Sequence, residues 1–481
     1  MKKILFVGSE VMPFAATGGL GDVLGSLPAA IKAKEKSEAD VRVVLPLYAC
    51  VNDEWRAQMK LECEFTLELS WRQLYCGIRS LVKDGVVYYF IDNEYYFKRN
   101  ALYGFYDDGE RFAYFCKAVM ELMIHLDFYP DVLHANDWQS AMTVVYLNTK
   151  YRYKEGFENV KSVFTIHNIE YQGKYSFSIL SDIFEMGPEY YSLMRYDDCI
   201  NLMKAAIECA DKVSTVSPRY AEEIKSPEYS HGLHHVLERN SYKLVGILNG
   251  IDYTYYNPSK DPQLFKNYDR RGISGAKPQN KLELQKQLSL PVRKDVPMIA
   301  IISRLATHKG LDLLEKIAYN LIESNDVQLV ILGKGEIKYE RFFASLEEAH
   351  PDCVRAILAY DRDLSKKIYA ASDLFVMPSK SEPCGLSQMI ASRYGSVPIV
   401  RETGGLYDSI KHYVKLEDGS IEGNGFTFFE YSPSVLYSKI CDALNLWQNK
   451  NEFKALATKV MGTDFSWKNS ADKYMAMYNS L

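Results

Sequence analysis

Thr17-Gly18-Gly19-Leu20-Gly21-Asp22 returns, as a pattern, in Thr403-Gly404-Gly405-Leu406-Tyr407-Asp408. Both stretches read T-G-G-L-x-D; each follows an apolar, strand-like run and opens a helical pattern. A strand that passes through a glycine turn into a helix is the repeating unit of a parallel α/β sheet. The first turn of such a helix also offers backbone N–H groups to an anion. The plain alternative is two tight turns that use glycine only for its backbone freedom. Two copies, one in each half of the chain, favour two domains of like design and a ligand held in a cleft between them.

The flanking sequence carries the same alternation. Short β-branched runs at 4–7, 41–45, 86–91, 132–135, 162–166 and 212–216 are separated by helical patterns such as 109–126 and 201–210. A second series has runs at 299–302, 327–332, 374–377 and 398–400, with a helical pattern at 364–371. Such alternation predicts two doubly wound parallel sheets, Rossmann-like, with helices on both faces and ligands at the carboxyl ends of the strands. The boundary falls after Leu248-Asn249-Gly250-Ile251-Asp252, because 257–280 is polar and without a sustained pattern, and a fresh series starts near Pro297. The domains are therefore placed at 1–252 and 253–462.

Composition agrees with this. A chain of 481 residues, 47% hydrophobic and 25% charged, suits two α/β domains that each bury a full core. A net charge of −5 with no long Lys/Arg block leaves no footprint for nucleic acid. Nine dispersed cysteines without a CxxC pair fit reduced thiols in a cytoplasm. The opening Met1-Lys2-Lys3-Ile4-Leu5-Phe6-Val7-Gly8 imitates a signal peptide, but its apolar run is too short and reads as a first strand. No stretch is long enough to cross a bilayer, so no membrane partner is expected.

Chemistry-bearing residues gather at predicted strand ends. Ser303-Arg304-Leu305-Ala306-Thr307-His308-Lys309-Gly310 places a guanidinium fork and an ammonium where a diphosphate could lie, the alternative being a solvated loop. Ser379-Lys380-Ser381-Glu382-Pro383-Cys384-Gly385-Leu386 sets a carboxylate beside a tight turn; Cys384 lacks the partners of a nucleophile and reads as structural. His134-Ala135-Asn136-Asp137-Trp138 and Thr165-Ile166-His167-Asn168 end strands in groups that suit sugar hydroxyls and ring faces, although a lone histidine is more often a satisfied structural one. Tyr88, Tyr89, Tyr95, Tyr96, Tyr103 and Tyr106 could form a carbohydrate platform or simply pack. Asp361-Arg362-Asp363 has the form of a metal-binding D-x-D, but it precedes a helix and Asp363 reads as an N-cap, so no metal is assigned.

Taken in order, Ser9-Glu10, 17–20, 134–138, 165–173, 214–220, 249–252, 303–310, 378–386, Arg393-Tyr394-Gly395, 403–406 and Phe465-Ser466-Trp467 resemble bacterial glycogen synthases and plant starch synthases over essentially the whole chain. The resemblance implies the GT-B fold, with a last helix at about 463–481 crossing back onto the first domain. It implies transfer of glucose from ADP-glucose to an α-1,4-glucan such as glycogen, with retained configuration and without metal or cofactor. Carried over residue by residue, Arg304 and Lys309 match the pair on the donor phosphates, and Glu382 the carboxylate beside the transferred glucose. Cys384, Gly385 and Leu386 match its backbone neighbours. His167 and Asp137 match residues around the glucose, Asn249 a donor-site residue, and Tyr360 the ring that stacks on the base. Gly18, Gly19 and Asp22 fall in the first glycine loop, Thr403 and Gly404 in the second. Two positions depart from the family pattern. Ala16 stands where a lysine usually begins the loop, and Asn136 replaces a histidine. Readings kept open beside this one are UDP-glucose as donor, a GT-B transferase with a small acceptor, a glucan phosphorylase, for which no pyridoxal site is seen, and a glucan-binding protein without catalysis.

Overall fold

The β-branched runs become strands covered on both faces, which is why they read as unbroken apolar stretches rather than alternating ones. The computed structural model describes residues 2–35 and 39–481; position 1 of the opening run and positions 36–38 of the first expected domain lie outside them. The chain divides into two compact units, Met1–Gly250 with Trp467–Leu481, and Ile251–Ser466.

The first unit runs β1 (Lys2–Val7), α1 (Gly19–Glu35), β2 (Ala39–Pro46), β3 (Lys60–Leu69), β4 (Arg72–Lys83), β5 (Val86–Asp92), α2 (Asp108–His125), β6 (Val132–Asn136), α3 (Trp138–Tyr146), β7 (Lys161–Ile166), α4 (Leu202–Cys209), β8 (Lys212–Thr215) and β9 (Leu244–Gly246). Among the described residues they form one nine-stranded sheet in the order β9-β8-β7-β6-β1-β2-β5-β4-β3. All pairings are parallel except β3 with β4 and β4 with β5. That antiparallel hairpin extends a sheet that the sequence predicts to be parallel throughout. It escaped the pattern because β3 is largely exposed and its turn carries Ser70 at φ 56 instead of a glycine.

The second unit runs α5 (Ile273–Gln287), β10 (Met298–Ile302), α6 (Leu311–Ser324), β11 (Gln328–Leu332), α7 (Ile337–Ala349), β12 (Val354–Ile357), α8 (Arg362–Ala371), β13 (Leu374–Met377), α9 (Ser387–Arg393), β14 (Val397–Arg401), α10 (Gly404–Ser409), β15 (Phe426–Phe428), α11 (Pro433–Gln448) and α12 (Lys450–Met461). Its six-stranded sheet is ordered β12-β11-β10-β13-β14-β15 and wholly parallel. Counted within the unit this is the doubly wound order 3-2-1-4-5-6, which reverses direction between β10 and β13. In the first unit the corresponding reversal lies between β1 and β6.

Part of α5 falls in the stretch 257–280 that has no readable period, and the reason is its buried face. Lys277, Asn280, Lys281 and Gln285 are buried there beside Leu284. Lys277 Nζ donates to the carbonyls of Tyr369 (3.0 Å), Ala370 (3.2 Å) and Tyr394 (3.0 Å), which terminate α8 and α9. Lys281 meets Asp373 at 2.9 Å.

The chain then returns to the first unit as α13 (Trp467–Asn479). The helix begins at Trp467 rather than at 463: Gly462 caps α12, and the residues up to Ser466 belong to the second unit. Trp467, Ala471, Tyr474 and Tyr478 are buried in the core shared with Ile4, Phe6 and Leu24. No described helix is long and apolar enough to cross a membrane.

Candidate active site

In the first unit, the carboxyl ends of β1, β6 and β7 converge at the point where the strand order reverses. Ser9 and Glu10 follow β1 and are buried. Glu10 accepts the Thr17 N–H (2.5 Å), the Thr17 hydroxyl (2.7 Å), the Gly18 N–H (3.0 Å) and the Tyr103 hydroxyl (2.8 Å). The first glycine loop therefore already holds a resident anion. The expectation that its amides stand ready for an external one is corrected for Thr17 and Gly18. Gly18 and Gly19 remain exposed, and a side chain at Gly18 would meet nothing within 4 Å. Ala16 packs against Gly21, where a Cβ would lie 2.3 Å from its own. Asp22 sits in the first turn of α1.

The motif at the end of β6 divides between structure and surface. His134 is buried: Nδ1 meets the Tyr478 hydroxyl at 2.7 Å and Nε2 the Thr165 hydroxyl at 2.6 Å, which in turn meets Ser214 at 2.5 Å. Burial, then the neighbouring His167, pushes His134 down to about 3, so it is a neutral pin between α13 and the sheet. Trp138 packs edge-on to Phe112 with Gly173 against its ring, and so is a packing residue rather than a sugar platform. Of the tyrosines, Tyr88, Tyr89 and Tyr96 are buried, whereas Tyr95 and Tyr106 are exposed.

Asp137 holds a left-handed backbone, φ 57, unusual for a residue with a side chain. Its Oδ1 receives the His167 N–H at 2.7 Å and the Asn168 N–H at 3.4 Å, so it ties the loop after β6 to the loop after β7. Burial raises its carboxyl to about 7 despite those two N–H groups. His167 is half-buried, with Nε2 2.9 Å from Asn136 Oδ1, and burial lowers its imidazole to about 3. Asn249, beyond β9, is buried, and its Oδ1 has no hydrogen-bond partner among the described residues. An orphaned buried acceptor at a strand end is the kind of group that a ligand's donor completes.

In the second unit, β10 and β13 flank the reversal of strand order, and the loops that follow them carry the expected cations and carboxylate. Lys309 Nζ lies 2.6 Å from Glu382 Oε2, and the Ser379 hydroxyl donates to the same oxygen at 3.0 Å. Glu382 is buried; Lys309 keeps 19% of its side chain exposed. Arg304 is exposed and makes no side-chain hydrogen bond or ion pair among the described residues. Gly310, at φ 72, allows this approach, since a Cβ would stand 2.0 Å from the Pro378 carbonyl.

The second glycine loop lies directly on the turn at 382–385. Gly405 N–H donates to the carbonyls of Glu382 and Pro383, both at 3.1 Å, and a Cβ on Gly404 would fall 2.0 Å from the Glu382 oxygen. Thr403 is buried before α10. Two braces were not legible in the sequence. Gln388 Nε2 donates to the carbonyls of Cys384 (3.1 Å) and Gly385 (2.9 Å), and Arg401 donates to the Lys380 carbonyl (2.9 Å). Cys384 is buried within the turn, and Leu386 precedes α9. Tyr360, beyond β12, is 78% exposed, its hydroxyl receiving the Arg362 Nε at 2.6 Å. The N-cap of α8 is Asp361, which accepts the Leu364 N–H at 2.9 Å; Asp363, the expected cap, lies inside the first turn.

Comparison with known proteins follows this division. Residues 3–239 match the model of the starch synthase catalytic domain, and residues 284–460 that of glycosyl transferases group 1. A glycogen synthase of Lactobacillus acidophilus is 46% identical over 481 residues, covering 100% of this chain and 99% of that protein. A glycogen synthase of Clostridium novyi is likewise 46% identical, covering 99% of each. The solved catalytic domain of starch synthase IV from Arabidopsis thaliana, bound to ADP and acarbose, superposes with a TM-score of 0.90 at 35% identity, over 100% of this chain and 99% of that one. With its two doubly wound units and this likeness along its whole length, the chain belongs to the glycogen and starch synthase family of GT-B glycosyltransferases.

Proposed function

We propose that the chain transfers glucose from ADP-glucose to the non-reducing end of an α-1,4-glucan with retention of configuration. The observation that carries the reading is the Lys309–Glu382 pair at the reversal point of the second sheet, with the exposed Arg304 on the same loop as Lys309. Arg304 and Lys309 stabilise the departing diphosphate, the charge-matching term that dominates such reactions. The bond from the anomeric carbon to the phosphate oxygen breaks as that carbon bonds the glucan 4-oxygen on the same face. The released proton passes to the leaving phosphate, so the balance calls for no separate base, metal or cofactor. Glu382, Cys384, Gly385 and Leu386 line the transferred sugar, with Thr403 and Gly404 behind them, and Tyr360 stacks on the base. His167, Asp137, Asn249, Gly18, Gly19 and Asp22 serve the sugar and donor from the first unit. In this reading the first unit, 1–252 with the terminal helix, is the acceptor side, and 253–462 binds the nucleotide sugar.

The adenine nucleotide on the Arabidopsis relative supports ADP-glucose over UDP-glucose. Nine cysteines, all free thiols among the described residues, support a reducing cytoplasmic setting. The test is nucleoside diphosphate release with glycogen as acceptor, from each donor, with and without EDTA. Glycogen-dependent, EDTA-insensitive release that is faster from ADP-glucose is expected. Faster release from UDP-glucose overturns the donor assignment, and silence with both despite glycogen binding establishes a glucan-binding protein instead.

A further inference from the structure

We infer that Asn136 is a positioning residue: it fixes His167 as the Nε2–H tautomer and so presents the bare Nδ1 as an acceptor for a sugar hydroxyl. The inference rests on the sugar-site reading of the first unit and goes beyond it by assigning a role to a residue that this reading leaves out.

Asn136 is the last residue of β6, buried and held at every polar atom. Its N–H donates to the Ser140 hydroxyl at 2.6 Å, and its carbonyl accepts from the same hydroxyl at 2.7 Å. Its amide nitrogen donates to the carbonyls of Val7 (3.2 Å) and His134 (3.1 Å). Carbonyls only accept, so the amide cannot be turned over, and the oxygen must be the atom that faces His167 Nε2 at 2.9 Å. That oxygen also only accepts, which places the ring's proton on Nε2. A neutral imidazole has one N–H, leaving Nδ1 as a lone pair without a hydrogen-bond partner among the described residues.

Two further features hold this arrangement. The backbone of His167 is pinned by its N–H to Asp137. Burial keeps the ring neutral, with its imidazole lowered to about 3. The ionisable groups facing it are His134 from β6, Asp137 from the loop after β6 and, beyond Asp137, Glu10 from the loop after β1. Among the described residues none of these hydrogen-bonds either ring nitrogen. A histidine at 136, as in the family pattern, could either donate or accept; the clamped amide can only accept.

The first test reads the ring itself, by nitrogen NMR of histidine-labelled full-length protein with His167 assigned by its loss in H167A. An Nε2–H imidazole that does not titrate between about pH 5.5 and 8 is expected. An Nδ1–H ring, or protonation within that range, overturns the inference without reference to any variant's folding. The second test is N136D, which puts a carboxylate where the amide oxygen was. An opposite charge in contact raises an imidazole by roughly 1–3 pH units, so the same nitrogen NMR should show His167 of N136D protonating about 1–3 pH units above its wild-type position near 3. A His167 ring that protonates no more readily in folded N136D than in wild type overturns the positioning role. Near-normal turnover by H167A would sink the sugar-site reading instead, while the tautomer result would stand on its own.

Discussion

Arg304 and Lys309 carry the same charge and the same proposed task, yet their surroundings differ enough to separate binding from stability. Arg304 is exposed and commits its guanidinium to nothing among the described residues, so removing it costs the fold nothing. R304A should melt within about 1 °C of wild type while kcat/KM for the donor falls roughly 100- to 1000-fold, the loss typical of one charge-stabilising donor. Lys309 is the partner of a buried carboxylate, left with only the Ser379 hydroxyl if the ammonium goes. K309A should therefore lose activity to a similar extent and also about 1–2 kcal/mol of stability. Nucleoside diphosphate release and thermal denaturation of the two variants, read together, check the distinction. A fully active R304A would remove that side chain from the diphosphate site.

At the scale of elements, α5 shows both a testable device and the limit of sequence reading. Lys277 satisfies carbonyls that end two helices, but burial lowers its ammonium to about 7. A lysine depressed from its free value near 10.5 takes up a proton in the unfolded chain before the folded one. It therefore makes stability rise with pH between about 7 and 10 and contributes no slope below that. K277M should lose this slope, read as the shift in urea midpoint between about pH 7.5 and 9.5. It should also be about 1–3 kcal/mol less stable near pH 7, because three carbonyls lose their donor. An identical pH slope in K277M and wild type would show that Lys277 does not titrate there. The same residues explain why the helix is illegible: a buried face of lysines, asparagine and glutamine has no apolar period. Strands such as β1 and β10 are legible because both faces are covered and every residue can be apolar. The loops at 17–22, 303–310 and 378–386 could be read because cations and glycines stand out at strand ends. Asn136 clamping His167 and Arg401 bracing residue 380 could not, because each depends on partners distant in the chain, and Glu10 filling the first loop could not, because its bonds to Thr17 and Gly18 follow neither helical nor strand spacing.

For the molecule as a whole, the order of units along the chain matters as much as their cores. The second unit is inserted into the first, which begins at the N-terminus and is completed only by residues 467–481. The two crossings of the chain, 250–251 and 466–467, are held side by side, the Ile251 N–H donating to the Phe465 carbonyl at 2.8 Å. What α13 brings back is large: Trp467, Tyr474 and Tyr478 are buried among Phe6, Leu24 and Leu27, and the Tyr478 hydroxyl partners the buried His134. Without the helix, His134 Nδ1 loses its hydrogen-bond partner and an apolar face of α1 opens to water. Each buried aromatic is worth roughly 1.5–3 kcal/mol, so the loss approaches the whole stability of an ordinary domain. A chain ending at Ser466 should accordingly lose the first unit's melting transition, or have it lowered by more than about 10 °C, while the second unit's transition stays in place. Calorimetry of the full and shortened chains distinguishes the two transitions. Equal stability of both chains would mean that the first unit closes its core without the returning helix. If the first transition alone is lost, activity should vanish with it, although Arg304, Lys309 and Glu382 remain folded in the second unit.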